Sequence, residues 1–189
     1  MSQELRDYAL NILRGRKVRL RSFHEDDLHL LESWWNDPGS MIFQNARVVP
    51  SSSSSTRDMF RAWSENKDAS SYGFCVEQVE DAALVGHVTL WGIDPSVRSA
   101  TLGIMIGGPH VERGLGTDAL QVALRFAFEE LDLNKVELSV WEFNSRALHV
   151  YERVGFVVEG TRRAATFHAG RFWSQTQMGM LKEEFLRAR

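Results

Sequence analysis

The sequence predicts a mixed α/β fold in which antiparallel strands precede a β-α-β unit, and three observations carry that expectation. Tyr72 to Glu77, Leu84 to Trp91 and Thr101 to Ile106 are rich in β-branched and aromatic residues, with Glu80-Asp81 and Asp94-Pro95 in the turns between them. From 117 to 131 the apolar period becomes helical, through Leu120, Leu124, Ala127 or Phe128, and Leu131. A strand over Lys135 to Val140, a helix over Ala147 to Val154 closed by Gly155, and a strand over Phe156-Val157-Val158 then follow.

The remaining elements take their places around this middle. Residues 4–14 put Leu5, Tyr8, Ala9, Ile12 and Leu13 on one helical face. This predicts an amphipathic N-terminal helix, an appendage packed on the chain's own surface or on a sister subunit. Its polar face lacks the Lys and Arg enrichment of a membrane-surface helix. Lys17-Val18-Arg19-Leu20-Arg21 alternates as a half-buried strand does. Ser22 and Glu25 stand at capping-box spacing before a helix with Leu28, Leu31 and Trp34 or Trp35 on one side. Asn36-Asp37-Pro38-Gly39 stops that helix. Ser51 to Ser55 have little to bury and predict a mobile loop, with a short helix through Met59, Phe60 and Trp63 after it. Arg171 to Leu181 reads as a last strand before a charged end. No repeat or linker divides residues 1–189, which are expected to form one domain.

Composition narrows the function classes. A net charge of −3 and the absence of any Lys/Arg block argue against a nucleic-acid surface. No apolar run approaches about 18 residues, so no membrane span is expected, and the N-terminus lacks a signal peptide's apolar stretch. Cys75, the single cysteine, lies in the apolar run Tyr72 to Val76 and reads as a core residue without an oxidising compartment. A cytoplasmic location is the expectation.

The chemistry concentrates in Arg113-Gly114-Leu115-Gly116-Thr117-Asp118-Ala119, between the strand ending at Ile106 and the helix from 117. Glycines there let a ligand approach the backbone, and a helix N-terminus adds unpaired N–H groups and a positive dipole end. The pattern is that of a pyrophosphate cradle. It is not a Walker A loop, because no Gly-Lys-Ser/Thr follows. It matches Gly-x-Gly-x-x-Ala, with Glu142 ending the next strand, but too few strands follow to build a dinucleotide fold.

More of the chain is accounted for by the Gcn5-related N-acetyltransferase (GNAT) superfamily, which this sequence resembles over nearly its whole length. Leu102-Gly103-Ile104-Met105-Ile106 is similar to the family's splayed central strand. Arg113-Gly114-Leu115-Gly116-Thr117 is similar to the end of its pyrophosphate loop. Asn144, Ala147, Tyr151 and Gly155-Phe156 stand in the family's second motif, Asn-x-x-Ala-x-x-x-Tyr-x-x-x-Gly-Phe. Val18 to Arg21, Asp27, Trp35, Asn36-Asp37-Pro38, Glu159-Gly160-Thr161, Gly170-Arg171 and Met178 resemble the Rim-type branch, whose members acetylate ribosomal-protein N-termini. The sequence departs from the pattern in two places: Val111-Glu112 replace the loop's opening Gln or Arg and Gly, and Ser174 replaces an Asp of this branch.

The resemblance implies acetyl-CoA as co-substrate, no metal, and a primary amine as acceptor, with a protein N-terminus among the candidates and a homodimer possible. Backbone amides of Ile104, Met105 and Ile106 would take the thioester carbonyl. Val111, Arg113, Gly114, Leu115, Gly116 and Thr117 would hold the pyrophosphate; Asn144 and Ala147 would meet the pantetheine side. Tyr151 would stand by the sulfur as general acid, its ordinary pKa near 10 suiting a proton donor. Trp35, Trp63 and His87 are candidates for the acceptor pocket. His87, His110 and Glu77 are candidate bases by location, and a base is dispensable if water strips the ammonium proton. The expected function is therefore an N-acetyltransferase, with a non-catalytic acyl-CoA-binding module as the alternative.

Overall fold

A computed structural model describes residues 2–188. The helices are α1 (Gln3–Asn11), α2 (Leu28–Trp35), α3 (Pro38–Gln44), α4 (Ser53–Ser64), α5 (Leu115–Arg125), α6 (Ser145–Val154) and α7 (Lys182–Arg187). The strands are β1 (Val18–Arg21), β2 (Ser71–Gln78), β3 (Leu84–Asp94), β4 (Ser99–Ile106), β5 (Lys135–Trp141), β6 (Val157–His168) and β7 (Arg171–Leu181). They form one seven-stranded sheet in the order β1-β2-β3-β4-β5-β7-β6. Every pairing is antiparallel except β4 with β5, the parallel pair that a helical crossover requires. This is the mixed sheet the sequence predicts. The antiparallel order of its first half rules out the doubly wound dinucleotide fold.

The β4–β5 pair sets up everything that follows. Its register covers Ser99↔Lys135, Ala100↔Val136 and Thr101↔Glu137 and then stops. Beyond that point Leu102 to Ile106 stays paired with β3, while Leu138 to Trp141 stays paired with β7. Each strand is thus held by its outer neighbour, and a wedge opens between them, leaving one backbone edge of β4 without a strand partner.

Two cores flank the sheet. On one face α5 buries Leu115, Ala119, Leu120, Val122, Ala123 and Leu124 against strand residues such as Val76, Val88, Leu102, Val136 and Met178. On the other face Leu28, Leu31, Trp34 and Phe60 from α2 and α4 pack with Cys75, Leu84 and Met105. Met105 falls in this second group and Ile104 in the first because successive strand side chains face opposite sides.

The N-terminal helix docks on the chain itself. Tyr8, Ile12 and Leu13 pack on the first core, while Leu5 stays 58% exposed. Arg125 Nη2 donates to the carbonyls of Asn11, Ile12 and Arg14 at 2.6–2.9 Å, holding the end of α1 onto α5.

Several boundaries differ from the sequence expectation, each for a local reason. The capping interaction lies two residues later than Ser22/Glu25: Asp27 Oδ2 accepts from His24 N at 2.8 Å. Asp27 is drawn there by Arg21, which meets it in a two-pronged ion pair at 2.8 Å. Asn36-Asp37-Pro38-Gly39 ends α2 but also starts α3, with Asp37 Oδ2 accepting from Ser40 N and Pro38 at the first helical position. The serine run is not a loop. Ser52 caps α4 and Ser53 to Ser55 form its first turn, because serine side chains satisfy helix-start N–H groups. The helix expected over 117–131 begins at Leu115 and finishes as a π-helical turn over Phe126 to Glu130. β6 runs to His168, far past Val158, because pairing with β7 sustains a strand that buries little.

Candidate active site

The wedge opens onto two cavities. The first, about 600 Å³, lies between the loop before α5 and helix α6. Ile104, Ile106, Val111, Gly114, Gly116, Thr117, Asn144, Ala147 and Tyr151 line it, so nine predicted residues converge there from three separate segments.

The loop fits an anion by its backbone. Gly114 precedes α5 at φ 77°, a left-handed conformation that glycine adopts without strain. Carrying no side chain, it leaves the first-turn N–H groups of α5 uncapped toward the cavity. A Cβ on Gly116 would sit 3.3 Å from Ile106 Cγ1, so the helix start is pressed against the end of β4. Lys17 Nζ fixes the loop from outside by donating to the Arg113 carbonyl at 2.8 Å. Asp118, buried, fixes the helix start by accepting from the backbone amides of Arg16, Lys17 and Val18 at 3.2, 2.7 and 2.9 Å.

Three predicted residues sit elsewhere. The Leu115 side chain is buried in the core beneath α5. Met105 faces the opposite side of the sheet and lines the second cavity. Arg113 contributes its carbonyl to Lys17, and its side chain is not among those lining the first cavity. The cationic side chains there are Arg146 and Arg153 of α6. They went unread in the sequence, although the i, i+7 spacing that puts them on one helix face is visible.

Val111 and Glu112 are compatible with an anion at this site. Val111 lines the cavity, while Glu112, at φ 63°, reaches across its mouth toward Arg146, 3.7 Å away. Glu112 also lines the cavity, and its charge is met there by a cation.

Asn144 caps α6, its Oδ1 accepting from Ala147 N at 3.2 Å. One helical stretch later Tyr151 packs edge-on against Phe156 at 5.9 Å. Its surroundings push the phenol up to about 12, because burial disfavours the phenolate. Tyr151 therefore keeps its proton throughout the neutral range.

The second cavity, about 710 Å³, lies across the wedge and shares Phe43, Gln44, Ile104, Ser139 and Tyr151 with the first. Trp35, Phe60 and Trp63 form one wall, their rings edge to face at 5.3–5.8 Å. Phe43 and Gln44 belong to α3, the helix missing from the sequence reading.

The candidate bases separate cleanly. His87 lines the second cavity, but burial lowers its pKa to about 4, and its ring nitrogens meet Ser64 Oγ at 2.8 Å and Thr89 Oγ1 at 3.2 Å. Glu77 is buried and bound by Arg19 at 2.5 Å and Arg21 at 2.6 Å, away from both cavities. His110 lines the first cavity against Trp34, with burial and nearby Arg113 lowering its pKa. Glu142, the acid that a ribose would need, accepts instead from Ser174 N at 2.8 Å.

Comparison with known proteins identifies the family. Residues 17–157 match the acetyltransferase (GNAT) domain family. The chain is 25% identical over 180 residues to the SPbeta prophage-derived uncharacterized N-acetyltransferase YokL of Bacillus subtilis, covering 94% of this chain and 97% of that protein. It is 36% identical over 110 residues to the spermidine N(1)-acetyltransferase of Vibrio cholerae, covering 57% of this chain and 64% of that enzyme. The crystal structure of spermidine N-acetyltransferase from Vibrio cholerae in complex with CoA and spermine superposes with a TM-score of 0.81 at 28% identity, over 90% of this chain and 98% of that one. The chain belongs to the GNAT acetyltransferase family and is an N-acetyltransferase with acetyl-CoA as its co-substrate.

Proposed function

We propose that the first cavity takes acetyl-CoA, the second takes the amine, and Tyr151 serves as the general acid where they meet. The observation that carries this reading is the junction itself: Ile104, Ser139 and Tyr151 border both cavities at the wedge between β4 and β5. Acetyl-CoA supplies an acyl group activated as a thioester. The uncapped start of α5 and the α6 arginines hold its phosphates, and the free edge of β4 holds the pantetheine arm through backbone groups. An amide of that edge near Ile104 polarises the carbonyl. Tyr151, protonated and desolvated, gives its proton to the departing thiolate.

The amine must be neutral to attack. Among the described residues no carboxylate lines the second cavity, and His87 already has partners for both ring nitrogens. The amine therefore arrives neutral or loses its proton to water. Rim-like action on a protein N-terminus draws support only from the sequence resemblance.

Tyr151→Phe tests the reading. The acetylation rate constant should fall about a hundredfold or more, the usual worth of a positioned acid. Acetyl-CoA affinity by calorimetry should change little. An unchanged rate would remove Tyr151 from the chemistry, and loss of acetyl-CoA binding would make its role one of packing.

A further inference from the structure

The second cavity carries information about its occupant that the family relation does not. Its aromatic wall offers the partly exposed rings of Trp35 and Trp63, backed by the buried ring of Phe60. Among the described residues lining it, Arg162 is the one with a permanent charge, and none is an acid. The carboxylates behind the wall are already neutralised: Asp27 by Arg21 at 2.8 Å, and Glu77 by Arg19 and Arg21. His87, which is buried and lines the cavity, is neutral.

Arg162 stands at the end of a polar row. Ser139 Oγ donates to Gln177 Oε1 at 3.0 Å, Gln177 Nε2 to Gln175 Oε1 at 3.2 Å, and Arg162 Nη1 to the same Gln175 oxygen at 3.1 Å. The row follows the register Ser139↔Gln177 and Gln175↔Arg162 across β5, β7 and β6. It therefore runs from the junction with Tyr151 to the cavity rim. Two strand spacings and two residues of rise, at right angles to each other, separate its ends, roughly 12 Å at the backbone.

These features select against a polycation and for a molecule charged oppositely at its two ends. A polyamine would bring several ammonium groups to a cavity with no acid to receive them and an arginine to repel them. One apolar ring would cover the tryptophan wall, and one carboxylate would meet Arg162 in a charge-assisted pair. We infer that the acceptor is a monoamine with an aromatic or branched apolar body and a carboxylate set apart from the amine by that body, and that polyamines are excluded. The inference rests on the second cavity being the acceptor side.

The experiment is an acetylation assay by thiol release on the full chain with saturating acetyl-CoA. The acceptors are 4-(aminomethyl)benzoate, benzylamine and spermidine. The benzoate should exceed both others at least about tenfold in kcat/KM, the usual scale of one charge-assisted contact. In Arg162→Gln the benzoate-to-benzylamine ratio of kcat/KM should fall about tenfold, chiefly through the benzoate KM. A merely structural role for Arg162 would lower both acceptors alike and overturn the proposal. Spermidine as best acceptor, or no turnover of the benzoate, would overturn it too. Calorimetric binding of acetyl-CoA to the same preparation tells failure of this acceptor class from failure of the acetyltransferase assignment to these cavities.

Discussion

Asp118→Ala is the perturbation whose size can be worked most directly from the geometry. The carboxylate accepts three backbone N–H groups, from Arg16, Lys17 and Val18. Arg16 and Lys17 are exposed, so their amides recover water once the acid is gone. Val18 is fully buried, and its amide is left orphaned. An orphaned buried donor costs about 1–3 kcal/mol and each of the other two lost charge-assisted bonds about 1 kcal/mol more, giving about 3–5 kcal/mol in all. For a chain of this length that corresponds to a fall of roughly 10 °C in Tm. Thermal unfolding followed by circular dichroism reads it. Because Asp118 seats the start of α5, acetyl-CoA binding should weaken in parallel below the new Tm. Gly15 supplies an internal control, since a Cβ there would lie 2.3 Å from Asp118 Oδ2. Gly15→Ala should be costly in the parent and nearly harmless beside Asp118→Ala, a coupling that a double-mutant cycle measures. A Tm shift under about 3 °C, or additive losses in the cycle, would refute the idea that this carboxylate ties the N-terminal segment to the cofactor loop.

Two further tests address the acceptor wall. His87 titrates near 4 in the folded chain against about 6.5 unfolded, so between those values the unfolded state binds a proton that the native state refuses. Stability should therefore fall by about 2–3 kcal/mol between pH 7.5 and pH 4.5, and His87→Gln should remove that part of the slope in urea melts at the two pH values; an unaltered slope would contradict the buried neutral imidazole. Gly73→Ala would place a Cβ 2.0 Å from the Trp63 carbonyl oxygen, forcing α4 off β2. We expect about 2 kcal/mol of destabilisation and a rise in acceptor KM larger than any rise in acetyl-CoA KM, whereas equal rises would show that α4 does not shape the acceptor side.

Much of the candidate site is legible in the sequence because its signals are local. Gly114 and Gly116 between a strand and a helix mark a cradle, and Asn144 and Tyr151 stand two helical turns apart whatever the rest of the chain does. Alternation and helical period fix the element order for the same reason. Local signals also mislead. The Asn36 to Gly39 breaker both ends a helix and begins one, and the serine run that looks too polar for structure is a helix start. What belongs to tertiary structure alone is the wedge. β4 and β5 part after Thr101 and Glu137 because each is paired to an outer neighbour whose register comes from residues far along the chain. That parting brings Ile104, Ser139 and Tyr151 to one junction, lines one cavity with Arg146, Arg153 and the glycine loop, and lines the other with Arg162 and the aromatic wall. Spacing along a chain is set by neighbouring residues, whereas distance across a cleft is set by the packing of the whole sheet.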